Sequence, residues 1–251
     1  HNPNAGMFLG VDLSRVSGQA QGELILDLVA NHPATADFIV RKMARRIFGD
    51  NTPEGVIQSA KGAWLTARNR PDQLRQVMRA LTISSMEQMG LPPSKVRRPY
   101  ERLIAFLRTT DTVVNAYDGA WLTFSSLGDT MFVWATPEGR PDADIQWQTA
   151  AANLESWNTV LQILGTPSLR TSLFNQTPTA YANSAIQIVE YWVERMVGRV
   201  LRPAAMQALI DEALTPIGVV AAYRSGGIAN IENALRRLTS LIAISPEFGM
   251  R

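Results

Sequence analysis

The residues that by type and position best suggest acid–base or binding chemistry gather in one passage. Between Gly128 and Trp147, GDTMFVWATPEGRPDADIQW, the carboxylates Glu138, Asp142 and Asp144 are interleaved with the aromatics Phe132, Trp134 and Trp147. Carboxylates held a few ångströms apart across a cleft can divide acid and base roles, because crowding raises the pKa of one of them. Solvated loop acids are the plainer account of the same residues. Aromatic faces set among acids and amides, with Trp157 following, are what a sugar ring stacks on, whereas tryptophans filling a helical core are the commoner case. A loop this long and this rich in Trp, Pro and Asp is uncommon in a compact domain unless it is functional or closes over the core as a lid.

Imidazole is available at two positions, His1 and His32. His32 precedes Pro33 at a helix start, a place where imidazole caps or packs. His1 would serve as a metal ligand only with partners outside this chain, and no His-x-x-x-His or His-x-x-Glu-His spacing exists to build a site within it. With no cysteine there is no disulfide, thiolate metal site or cysteine nucleophile. The Gly-x-Ser-x-Gly elbow, the Walker loop and Gly-x-Gly-x-x-Gly are missing too, which argues against serine catalysis and nucleotide binding. No cofactor is expected, and whether the chain is an enzyme stays open.

The elements that would position these groups read as helices. From His32 to Phe48, apolar residues at mixed three- and four-residue steps (Ala36, Phe38, Ile39, Val40, Met43, Ile47, Phe48) mark one face, and Gly49-Asp50-Asn51 ends it. Thr52-Pro53-Glu54 starts a second helix through Val56, Ala60, Trp64 and Ala67, and Asp72 caps a third through Leu74, Val77, Met78, Leu81 and Ile83. Helical spacing returns at Pro99 to Leu107, Thr112 to Leu127, Asn153 to Leu164, Ile186 to Leu201, Ala204 to Leu214, Ile217 to Tyr223 and Asn230 to Ile244. The spacing predicts an all-α, irregular multi-helix domain with long loops.

Several separated motifs agree with one family. HPATADFIVRKMARRIF from His32, PDQLRQVMRALTIS from Pro71, KVRRPYERLIAFLR from Lys95 and the closing ISPEF at Ile244 to Phe248 together resemble the bacterial family called domain of unknown function 1800, over nearly the whole chain and in order. The resemblance implies an exported bacterial protein, periplasmic or at the cell surface, about twice this length, of which this chain matches the C-terminal half. Within the loop, Gly128, Phe132, Pro137, Gly139, Pro141 and Trp147 match the family pattern, whereas Asp129 stands for a glutamine and Arg140 for a tryptophan. At the start, Asn2 and Gly6 replace the family's aspartate and lysine.

Composition fits such a half. Hydrophobic residues make up 46% of the 251 positions, enough for a sizeable core, while charged residues are only 18%. A surface so poor in charge is neutral polar or covered by another part of a larger protein. The net charge is +2 and the basic residues are dispersed, so Arg41 to Arg46 is read as a solvated helix face and no nucleic acid is expected. No run approaches the ~20 apolar residues of a transmembrane helix.

The expected organisation is a linker and short helix over 1–31, a first helical subdomain over 32–127, the aromatic and acidic loop over 128–152, and a second helical subdomain over 153–251. Val40, Met43, Arg46 and Ile47 are echoed by Val193, Met196, Arg199 and Val200, and Leu74, Arg75, Ile83 and Ser84 by Leu235, Arg236, Ile244 and Ser245. Duplication of a helical unit and convergence of amphipathic helices would both produce this. The leading functional expectation is a structural or interaction half that completes a larger protein, its partner being the N-terminal half or another polypeptide. A hydrolase with its catalytic groups mainly upstream, and a glycan-binding module using the loop, are the alternatives.

Overall fold

The structure, a computed structural model, describes residues 6–88, 95–113, 128–129, 134–165, 172–181, 184–214 and 227–250. Its fold is all-α apart from one small hairpin. Two compact units divide the chain at Lys95 and Val96.

In the first unit, strands β1 (Met7–Phe8) and β2 (Val11–Asp12) pair antiparallel across a turn where Leu9 and Gly10 both have positive φ. Helix α1 (Gln19–Ala30) follows, then α2 (Pro33–Phe48), α3 (Glu54–Thr66) and α4 (Gln73–Gln88). Ala36, Val40 and Ala44 of α2 pack with Val56, Ile57, Ala60 and Trp64 of α3 and with Val77 and Leu81 of α4. The buried stripe is narrower than the spacing predicts, because small residues at four-residue steps, Ala36, Val40 and Ala44, let the helices approach closely. Phe38 and Ile47 fall outside it and are exposed, Phe38 lying under the Lys42 ammonium at 5.2 Å. The basic cluster is partly paired with acids: Arg41 bridges Asp37 (2.9 Å) and Glu54 (2.7 Å), and Arg45 reaches Asp50 at 3.0 Å.

The second unit holds α5 (Pro99–Thr109), a 3₁₀ turn at Asp144–Gln146, α6 (Ala150–Gly165), the one-turn α7 (Leu173–Gln176), α8 (Ala185–Val197), α9 (Pro203–Leu209) running into a π turn at Ile210–Leu214, and α10 (Ile228–Ile244). Trp192 of α8 is fully buried in a core that also holds Ile188, Leu235, Leu238 and Ile242. Its indole N–H donates to Thr177 Oγ1 at 3.1 Å, so the ring is buried without an orphaned donor. Arg195 stacks on Trp192 at 5.6 Å and donates to Thr109 O, Gln176 Oε1 and Tyr191 Oη, tying α5, α7 and α8 together.

Leu103 and Phe106 place α5 in this second core, although a boundary at residue 127 would assign the helix to the first. The echoed positions also differ in environment, since Leu74 is 57% exposed and its counterpart Leu235 fully buried. The expected helices over 112–127 and 217–223 lie outside the described residues, apart from Thr112 and Val113.

Candidate functional site

Phe132 of the loop lies outside the described residues, as does His1. The remaining loop residues close on themselves. Trp147 is buried and donates its indole N–H to Pro141 O at 2.9 Å, with Trp134 against it at a ring separation of 6.2 Å and a 54° tilt. Trp134, partly exposed, turns its own N–H to Thr136 Oγ1 at 3.2 Å. Glu138 is exposed, and hydrogen bonds from its own backbone N–H and from Thr136 hold its carboxyl below the usual range. Asp142 is half-buried, and Asp144 is buried at the first position of the 3₁₀ turn. Among the described residues no three of His, Asp and Glu come together to hold a metal ion.

The residues that anchor this loop are ones the sequence pattern passed over. Asp129 is 1% exposed, and its Oδ1 lies 3.2 Å from Arg140 Nη1. The loop's two departures from the family pattern therefore meet, a carboxylate for an amide and a guanidinium for an indole. Tyr100 N–H at the start of α5 points to Asp129 Oδ2 at 3.4 Å, which fixes the loop to that helix. Burial pushes the Asp129 carboxyl up, against the lowering pull of Arg140 and Arg98, and among the described residues Oδ1 makes no hydrogen bond despite its closeness to Arg140. This ion pair bears a desolvation cost without the alignment that would best offset it.

Directly after Trp147, Gln148 enters the wall of a cavity of about 310 Å³ within the second unit. Its charged group is Arg102, on the buried stripe of α5 with Pro99, Leu103 and Phe106. Arg102 is 7% exposed; its Nη1 donates to Asn153 Oδ1 at 3.1 Å, and its Nε has no acceptor. Burial pushes the guanidinium pKa down.

The opposite wall is the C-terminal turn, Ser245 to Met250, clamped from below by two other arginines. Arg97 donates its backbone N–H to Gly249 O (2.8 Å) and Nη1 to Phe248 O (2.9 Å) while stacking on the Phe248 ring, and Arg199 donates to Glu247 O at 2.9 Å. A Cβ on Gly249 would stand 2.4 Å from Arg102 Nη2, so the guanidinium keeps its place against the turn only because residue 249 has no side chain.

His32 caps α2, its Nδ1 accepting from Ala34 N–H at 3.1 Å. That occupies one ring nitrogen in structure, as its place before Pro33 leads one to expect.

A family model described as "Protein of unknown function (DUF1800)" matches residues 1–250. No curated protein and no solved structure matches the chain.

Proposed function

We propose that this chain, which belongs to the DUF1800 family, is a helical half that completes a larger exported bacterial protein, with its first unit supplying the face that the remainder covers. Helix α1 carries the reading. Leu24, Ile25, Leu26, Leu28 and Val29 occupy five of six successive positions, yet the one buried residue of the helix is Gln21. An amphipathic helix forms in water chiefly because its apolar face packs on something, and this one keeps Leu26 69% exposed. Met7 and Leu9 of the hairpin, and Leu74, Met78 and Met86 along one side of α4, are exposed as well. Each such side chain gains about 1.5–3 kcal/mol on full burial, so a partner covering several of them is strongly favoured.

The alternatives draw less support. A glycan platform needs a row of open indoles, and Trp147 is turned inward with its N–H engaged. A hydrolase would use the loop as a cleft wall, and Asp144 is buried there.

The test is co-expression of the chain with the N-terminal half that the family resemblance implies. Leu26→Lys and Met86→Lys should leave the isolated chain's melting temperature unchanged and abolish co-elution of the two halves. Co-elution that survives both substitutions would defeat the proposal.

A further inference from the structure

We propose that the cavity beside Arg102 binds a small monocarboxylate with an apolar body, an aryl or branched-chain acid. Every residue used here belongs to the second unit, so the inference stands apart from the covering of the first.

The charge comes first. Arg102 is the one ionisable side chain among the described residues that line the cavity, and none of them brings a carboxylate to it. Arginines with a purely structural task in this unit end on acceptors: Arg97 on Phe248 O, Arg199 on Glu247 O, Arg236 on Leu164 O and Glu232. Arg102 spends one N–H on Asn153, and among the described residues its Nε has no acceptor.

Its neighbours also present donors. Asn153 Oδ1 is taken by Arg102, which leaves the amide N–H groups to give. Ser245 Oγ already accepts from Phe248 N–H at 3.2 Å, and its hydroxyl hydrogen remains to donate. Donors of this kind converging on one cavity select an anion. With a single positive charge they match a monoanion better than a phosphate group, which carries about 1.5–2 negative charges near neutrality.

The rest of the wall sets the body of the ligand. Val96, Trp157, Ile244, Pro246 and Met250 surround the polar end with apolar surface. About 310 Å³ is at the small end of ligand sites, which suits one ring or one branched chain and excludes a drug-sized or polymeric ligand.

The experiment is calorimetric titration of the 251-residue chain with phenylacetate and 4-methylpentanoate, with phenylacetamide as neutral counterpart and inorganic phosphate as competing anion. At least one acid should bind, with the amide and phosphate at least about tenfold weaker, the loss expected for a charge-assisted pair. Arg102→Met should weaken the acid by at least about tenfold with the helical circular dichroism retained. Trp157→Ala, at a partly exposed position, gives an independent readout: it should weaken the acid while keeping the preference for acid over amide. Equal binding of acid and amide, tighter binding of phosphate, unchanged binding in both variants, or no heat from either acid at millimolar concentration would overturn the proposal.

Discussion

The buried pair Asp129 and Arg140 gives the sharpest quantitative prediction, because its two members differ in burial and its alignment is poor. At 3.2 Å, unit charges attract by about 5 kcal/mol at an effective permittivity of 20. Removing Arg140 alone strands a carboxylate that is 1% exposed and has Tyr100 N–H as its remaining hydrogen-bond donor. Breaking a buried pair from one side costs about 3–5 kcal/mol, and we place Arg140→Met near 3 because Arg140 keeps some access to water. In a unit of this size that lowers the melting temperature by roughly 6–12 °C.

Asp129→Asn should cost less, since the stranded guanidinium is the better solvated partner. The double variant should lie above Arg140→Met, with a coupling energy of about 1.5 kcal/mol or more, because it removes the desolvation cost together with the attraction. The pH dependence has a definite sign. Burial raises the folded-state pKa of Asp129 above its unfolded value, so the carboxyl's contribution is fully present below the unfolded pKa and is lost as pH rises through the folded one. Taking away Arg140 raises the folded pKa further, and the Arg140→Met penalty therefore grows with pH and shrinks in acid. Urea unfolding of the four proteins, followed by tryptophan fluorescence at two pH values, reads both effects. Additive single-variant costs, or a penalty that grows on acidification, would refute the reasoning.

Two further outcomes follow from caps at helix starts. Glu232 accepts the N–H groups of Leu173 (3.1 Å) and Phe174 (2.9 Å) at the start of α7, so Glu232→Gln, which keeps one oxygen, should cost the second unit about 1–2 kcal/mol in urea unfolding. His32→Ala removes the acceptor for Ala34 N–H and should cost the first unit about 0.5–1 kcal/mol, with Asn at the same position restoring most of it.

The helices were largely legible in the sequence. Pro33 and the Gly49 stop bound α2, and the apolar steps of α3, α5, α6, α8 and α10 are visible because tertiary packing reinforced what periodicity and caps already favoured. Burial was less legible. Position on a stripe says that a face exists but not how wide it is, which is why Phe38 and Leu74 lie outside the cores their spacing suggested.

Both charged features carry a signal in the sequence. Arg102 falls three after Pro99, one before Leu103 and four before Phe106, on the very stripe that is buried. A charge on an apolar stripe is the expensive exception that marks a site or a network. Asp129 and Arg140 were visible as opposite charges at two departures from one pattern, although their pairing across the loop had no local periodicity to announce it. The carboxylates Glu138, Asp142 and Asp144 stand close in sequence, and among the described residues they form no group of three able to hold a metal ion.

The proposal that a larger protein covers the exposed apolar side chains of the first unit is tested most directly by oxidative footprinting of its methionines. Met7 and Met86 are 68% and 80% exposed in this chain, so both should oxidise rapidly in the isolated 251-residue protein. In the intact polypeptide taken from its native cells both should be protected severalfold, while partly exposed Met250 of the second unit serves as the internal reference. Equal oxidation of Met7 and Met86 in the two preparations would contradict the account.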